Sequence, residues 1–177
     1  MKKNCSSKFY PDEYYDSAYH VPYEELYEQG YRGIIYDIDN TLVPHGAPAD
    51  EKSIELFQKL KNLGYEITLL SNNQRERVEM FNKDVHVHII WKAGKPSGKN
   101  YLKAMELMHT CRENTFFVGD QIFTDIMGAN NAKIFSFLVK PIHPKEEIQI
   151  VIKRFFEKPI LFFYLRKHQL KTISDSL

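Results

Sequence analysis

Short apolar runs rich in Ile, Val, Phe and Tyr alternate along the chain with amphipathic segments. This alternation predicts an α/β fold built on a mainly parallel sheet with crossover helices on its faces. Strands are expected at Arg32 to Tyr36, Tyr65 to Leu70, Val85 to Trp91, Thr115 to Val118 and Ile134 to Leu138. Between the first two, Asp50 can cap a helix, Ile54, Phe57, Leu60 and Leu63 recur at three-residue steps, and Gly64 is placed to end it. A second helix is expected from about Gln74 to Asn82, and a third from about Ser97 to His109 with Leu102, Met105 and Met108 inward. A fourth begins near Thr124, and a last one, from about Lys145 to Glu157, is expected to break or end at Pro159.

The two ends depart from this rhythm. Tyrosines stand at 10, 14, 15, 19, 23, 27 and 31, five of them four residues apart. That spacing predicts an aromatic stripe on a helical surface, interrupted by Pro11 and Pro22, so residues 1 to 30 are expected to pack on the core. At the other end, segment 153 to 171 holds six Lys or Arg against one Glu. The expected organisation is a core domain over 31 to 157 followed by a basic, aromatic tail over 158 to 177.

Composition narrows the function classes. With 177 residues, 43% of them hydrophobic, the chain can close one sizeable core. The 24 basic and 23 acidic residues leave a net charge of +1, so nucleic acid is not an expected partner. Cys5 and Cys111 lie far apart without metal-ligand spacing, which favours free thiols and a reducing, cytoplasmic location. The amino terminus lacks the apolar segment of a signal peptide, and no run approaches the roughly 18 apolar residues that span a bilayer.

The polar residues that end the apolar runs carry the chemistry. The first run leads into Asp37-x-Asp39-x-Thr41, two acids whose mutual repulsion a divalent cation would relieve. In a parallel sheet the carboxyl ends of the strands form the ligand crevice, and alternation along a strand would turn both acids the same way. Singly, such a pair is more often a solvated loop. The second run ends at Ser71, Asn72 and Asn73, hydrogen-bonding groups for phosphoryl oxygens or simply a helix cap. The third is followed by Lys95 between Gly94 and Pro96, a point charge suited to phosphate. The fourth ends at Gly119, which allows close backbone approach, then Asp120 and Asp125.

Acids, hydroxyl, lysine and acids at four successive strand ends make a set. The set resembles the four motifs of the haloacid dehalogenase-like (HAD) phosphatases over residues 31 to 140. The forms "DIDNTLV", "SNN", "GKP" and "GDQIFTDIMGAN" are similar to subclass IIIA, the YqeG family, which is related to phosphatidylglycerophosphate phosphatases. The resemblance implies a Rossmann-like core and makes Asp37 the nucleophile that forms an aspartyl-phosphate. It makes Asp39 the general acid and then base, Thr41 the residue that orients the loop, and Ser71, with Asn72, a ligand of the phosphoryl oxygens. Lys95 would neutralise charge, and Mg²⁺ would be held by Asp37, the Asp39 carbonyl, Asp120 and Asp125, the last through water or as support. Such chemistry needs oxygen ligands for a hard cation and a covalent step that splits one displacement into two.

The spacing between motifs leaves no room for an inserted cap domain, so the crevice is expected to be open and suited to a phosphate on a large or surface-bound group. His45 and Pro44 stand where a leaving group would lie, although a loop histidine without a role is the plainer reading. Residues 155 to 165 are mostly aromatic and aliphatic between basic flanks, a composition suited to a lipid interface or to packing beneath the last helix. The expected activity is a Mg²⁺-dependent phosphomonoesterase, on phosphatidylglycerophosphate first and small sugar or nucleotide phosphates second. Peripheral contact with the inner face of a membrane through 153 to 171 would accompany the lipid substrate. The competing class is a regulatory or scaffolding protein that keeps this fold. The intact acid pair counts against it, and against a two-component receiver, which has no use for Asp39.

Overall fold

A computed structural model describes residues 7–143 and 155–166. The chain divides into two units, residues 1–144 and 145–177. The first holds six strands: β1 (Glu13–Tyr15), β2 (Gly33–Tyr36), β3 (Glu66–Leu70), β4 (His88–Ile90), β5 (Thr115–Gly119) and β6 (Phe135–Val139). Its helices are α1 (Tyr23–Glu28), α2 (Glu51–Leu63), α3 (Arg75–Val85), α4 (Lys99–Leu107) and α5 (Met127–Ala132). The strands form one sheet in the order β1-β6-β5-β2-β3-β4, and every pair is parallel.

Alternation along the strands builds two apolar layers. Ile34 and Tyr36 of β2 and Phe116 and Val118 of β5 face a layer with Tyr23 and Leu26 of α1, Phe57 and Leu60 of α2, and Val78 and Phe81 of α3. Ile35 and Phe117, one residue out of phase, face the other side, where Tyr101 and Met105 of α4 and Ala129 of α5 cover them. The chain runs from β2 through β3 to β4 in one direction and then returns across to β5 on the far side of β2. That reversal opens a crevice at the carboxyl ends of β2 and β5, where ligands bind in open α/β sheets.

Local chemistry sets the element ends. Asp50 Oδ1 accepts from Ser53 N at 2.8 Å while Asp50 N donates to Ser53 Oγ at 2.9 Å, a reciprocal cap that starts α2. Gly64 ends that helix at φ 97°, a conformation costly for any residue with a Cβ. The third helix runs on to Val85, past the expected end at Asn82, because the Asn82 side chain bonds both polar groups of Val87 and so closes the helix rather than breaking it. The strand that follows is correspondingly short.

The amino-terminal segment differs from the helical stripe its tyrosines suggest. Glu13, Tyr14 and Tyr15 form the edge strand β1, in register with Phe137, Leu138 and Val139. Tyr19 lies in a 3-10 turn over Ala18–His20, Tyr23 and Tyr27 on α1, and Tyr31 in the approach to β2. Tertiary packing overrides the four-residue spacing: Tyr31 stands edge-on to Phe116 at 5.4 Å, and Tyr23 stacks on the same ring at 6.3 Å.

In the second unit the described residues 155–166 form one helix, α6. It runs through Pro159, so the expected break there does not occur. The cost is one hydrogen bond, since proline has no N–H to offer the Phe155 carbonyl. Phe155, Phe156, Phe162 and Phe163 are exposed, while Glu157 and Tyr164 are buried. The expected helical residues 145–154, the ends of the basic segment and Cys5 lie outside the described residues. Within those residues no cap domain interrupts the sheet, and no helix is long and apolar enough to cross a membrane.

Candidate active site

The sheet ladder carries one step beyond β2, where Asp37 N donates to the Val118 carbonyl at 3.0 Å. The chain then turns. Asn40 takes φ 62°, a left-handed conformation that Asn tolerates, and Asn40 N reaches the Val43 carbonyl at 2.8 Å. The expected strand alternation therefore ends at Asp37 and does not carry on to Asp39. Asp37 and Asp39 are turned to different partners by this loop rather than aligned by a strand.

Asp37 meets Lys95. The ammonium lies 2.6 Å from Asp37 Oδ1 and 2.6 Å from Asp125 Oδ1, with its side chain 3% exposed. Asn72 fixes the lysine's loop, since its Oδ1 accepts from Lys95 N at 2.8 Å and its Nδ2 donates to the Lys95 carbonyl at 3.2 Å. Expected at the phosphoryl oxygens, Asn72 thus has both ends of its amide engaged with the backbone. Asp125 is held in turn by Gln121 N, which donates to Oδ2 at 3.1 Å, in a π turn over Ile122–Ile126. Gly119 makes this possible: a Cβ there would come within 2.7 Å of Asp125 Oδ2.

Asp120 follows β5, and Thr41 Oγ1 donates to its Oδ1 at 3.3 Å, so the threonine ties the first motif to the last. Ser71 is buried at the end of β3, and its Oγ accepts from Asn73 N at 3.1 Å. Asp37, Asp120 and Asp125, all buried, offer oxygens within 4.8 Å of one another. Three carboxylates against one ammonium leave the cluster rich in negative charge. Oxygen donors at this spacing fit a hard divalent cation such as Mg²⁺. The Asp39 carboxylate is not in the cluster; the ligand expected from that residue is its backbone carbonyl.

Burial dominates the electrostatics. Loss of hydration pushes the Asp37 carboxyl up to about 7, the pull of Lys95 opposing and the Asp125 charge adding to the rise. Burial alone would weaken the Lys95 ammonium, yet Asp125 and Asp37 outweigh it and hold that group well above the usual lysine range. The lysine stays charged in the apolar setting of Phe117, whose ring lies 5.7 Å away.

One residue of the site was missed in the sequence, Arg77, and Asn73, expected at phosphoryl oxygens or as a helix cap, is turned to Asp39 instead. Asn73 Nδ2 donates to Asp39 Oδ2 at 2.7 Å, and Arg77 Nε and Nη2 donate to Asp39 Oδ1 at 3.1 and 2.9 Å. The signal for Arg77 was its place in the first turn of the helix that follows Ser71, which points that turn at the crevice. His45 Nδ1 stands 3.8 Å from Asp39 Oδ1, so this histidine does face the acid.

Comparison with known proteins defines the class. Residues 46–133 match the haloacid dehalogenase-like hydrolase family. The chain is 36% identical over 160 residues to the probable phosphatase YqeG of Bacillus subtilis, covering 90% of this chain and 93% of that protein. It is 27% identical over 173 residues to phosphatidylglycerophosphate phosphatase 1, chloroplastic/mitochondrial, of Arabidopsis thaliana, covering 89% of this chain and 48% of that one, about half its length. A solved structure of a hypothetical protein from Xanthomonas campestris shares the fold with TM-score 0.52 at 15% identity, over 73% of this chain and 76% of that one. The chain belongs to the haloacid dehalogenase-like hydrolases and is a phosphatase of that type.

Proposed function

We propose that this chain hydrolyses phosphomonoesters through an aspartyl-phosphate on Asp37. The observation that carries the reading is the Lys95 ammonium, set 2.6 Å from Asp37 Oδ1 inside a buried cluster of carboxylate oxygens. Asp37 would attack phosphorus, Lys95 would offset the charge gathered on nucleophile and phosphoryl group, and Ser71 would donate to a phosphoryl oxygen. Asp39 would protonate the leaving oxygen and then take a proton from the attacking water. Asn72 would hold Lys95 in place, Asp125 would hold it from the other side, and Thr41 would steady Asp120. Mg²⁺, held by Asp37, Asp120, Asp125 and the Asp39 carbonyl, would supply further charge neutralisation at the phosphoryl oxygens.

The substrate reading is phosphatidylglycerophosphate. Supporting it are the name of the Arabidopsis relative, the absence of a cap among the described residues, and the exposed Phe155, Phe156, Phe162 and Phe163 on α6 between basic flanks. Exposed aromatic side chains beside basic ones suit an anionic membrane surface reached from the cytoplasm. A crevice without a cap among the described residues also suits a small sugar or nucleotide phosphate.

The test is hydrolysis by wild type and Asp37→Asn across aryl phosphates, phosphorylated metabolites and phosphatidylglycerophosphate, with and without Mg²⁺. Many phosphates released per chain, only with metal and only with Asp37, is the expected result. Metal-independent turnover retained by Asp37→Asn would sink the mechanism, and a single phosphate per chain would overturn the second, hydrolytic half of the reaction. Binding to anionic vesicles that weakens with salt and is lost on deleting 153–171 would support the lipid substrate. Unchanged binding after that deletion would remove the tail from the argument.

A further inference from the structure

Asp39 is held by more donors than a solvated loop acid needs, and one side chain supplies two of them. Its Oδ1 accepts from Gly46 N at 2.7 Å, from Arg77 Nε at 3.1 Å and from Arg77 Nη2 at 2.9 Å. Among the described residues its Oδ2 accepts from Asn73 Nδ2 alone, at 2.7 Å. A carboxylate oxygen offers two lone-pair directions, so Oδ1 is fully engaged while Oδ2 keeps one free.

Arg77 has little structural reason to be there. Its side chain is 12% exposed, and among the described residues its Nη1 is buried without a hydrogen-bond partner and Asp39 is its one carboxylate partner. Burying a guanidinium for a single ion pair is a poor source of stability, since desolvation offsets most of the attraction. Such an arrangement is better explained by what it does to Asp39.

The geometry points to Arg77 as a positioning residue for proton transfer. It fixes Asp39 through Oδ1, leaves Oδ2 as the oxygen that gives and takes the proton, and steadies the negative charge that forms there as the proton departs. The inference rests on Asp39 being the general acid and base of the proposed reaction. In the first half, an Asp37 oxygen bonds to phosphorus, the ester P–O bond breaks with its electron pair on the leaving oxygen, and that oxygen takes the proton from Asp39 Oδ2. In the second, Oδ2 takes a proton from water as the water oxygen bonds to phosphorus. The Asp37–phosphorus bond breaks, and phosphate leaves with both aspartates restored. Asn73, which donates to Oδ2, orients the carboxyl plane for both transfers.

Charge builds on Asp39 to the extent that the leaving group needs its proton. Arg77 therefore matters most for phosphates of poorly acidic alcohols, the class to which glycerol-linked phosphates belong, and least for esters whose leaving group departs as a stable anion.

Phenyl phosphate and p-nitrophenyl phosphate, alike in shape and different in leaving ability, supply the test on the full chain with Mg²⁺. Arg77→Met is expected to slow phenyl phosphate by about tenfold more than p-nitrophenyl phosphate, within the range that proton transfer contributes. Asp39→Asn should show the same bias more strongly, the double variant no more than Asp39→Asn, and Arg77→Lys a smaller bias than Arg77→Met. Equal slowing of both esters by Arg77→Met, beside a biased Asp39→Asn, would overturn the role of Arg77 and leave the acid–base reading intact. An unbiased Asp39→Asn would overturn both. If Arg77→Met melts too low for rates to be compared, Arg77→Lys, which keeps the charge and loses the fork, carries the same comparison.

Discussion

Lys95 and Asp125 meet at 2.6 Å with both side chains almost wholly enclosed, joining the loop after β4 to the turn after β5. The same ammonium reaches Asp37 at 2.6 Å, so one charge organises three separate segments of chain. Replacing it with an apolar group of similar length leaves two buried carboxylates facing each other. Lys95→Met should therefore lose more than about 100-fold in hydrolysis, since it removes the charge beside the proposed nucleophile. It should also cost about 3 to 5 kcal/mol of stability, the range for breaking a buried pair. Hydrolysis rates and denaturant melts in parallel check this, and a variant that melted normally yet lost activity would show that the cluster accommodates its own repulsion.

Gly119 offers a narrower probe of the same cluster. A methyl group there would stand 2.7 Å from Asp125 Oδ2 and 2.6 Å from the Phe117 ring, both inside van der Waals contact. Gly119→Ala should displace Asp125, cost about 1 to 3 kcal/mol through overpacking, and lower kcat more than KM. Retention of the wild-type kcat would mean that Asp125 can move without consequence.

Distance from the crevice should separate stability from activity. Asp50 caps α2 through Ser53 N at 2.8 Å and takes no part in the cluster. Asp50→Ala should cost about 1 kcal/mol of stability and leave kcat unchanged. Thermal melts with matched kinetics would show it, and a fall in kcat would mean that α2 transmits strain to the first motif.

What the sequence made legible follows from where the physics is local. The strands β2, β3, β5 and β6, the cap at Asp50 and the stop at Gly64 rest on periodicity and on single-residue chemistry, and each stands within a residue of its expected place, whereas β4 begins at His88, three residues after its expected start. The acids, the serine and the lysine could be placed because strand ends in a parallel sheet converge on one crevice. Arg77 could not, because its partner is 38 residues away and only the fold brings α3 onto the first motif. The edge strand β1 was hidden for the opposite reason. Its three residues are half-buried, and their tyrosines fell into a helical spacing that the pairing with β6 overrides.

That tyrosine-lined packing has a signature at high pH. Burial holds the phenols of Tyr31 and Tyr15 up at about 12, with nearby acids adding to the rise, and those of Tyr19, Tyr23 and Tyr65 are raised further, burial again the largest cause. A phenol raised in the folded state stabilises the fold fully below its unfolded value of about 10, where both states keep the proton. As pH climbs from there the unfolded chain ionises first, so stability falls steadily until the folded phenols titrate as well. Phenolate absorbance should therefore rise in two stages, exposed tyrosines near the ordinary value and the packed group later, together with the loss of helical circular dichroism. Variants Tyr31→Phe and Tyr23→Phe should each remove part of the second stage and move the alkaline unfolding midpoint upward, since each deletes a group that the unfolded chain alone can ionise. If every tyrosine titrated near 10 with the dichroism intact, the amino-terminal segment would not be packed on the sheet in solution.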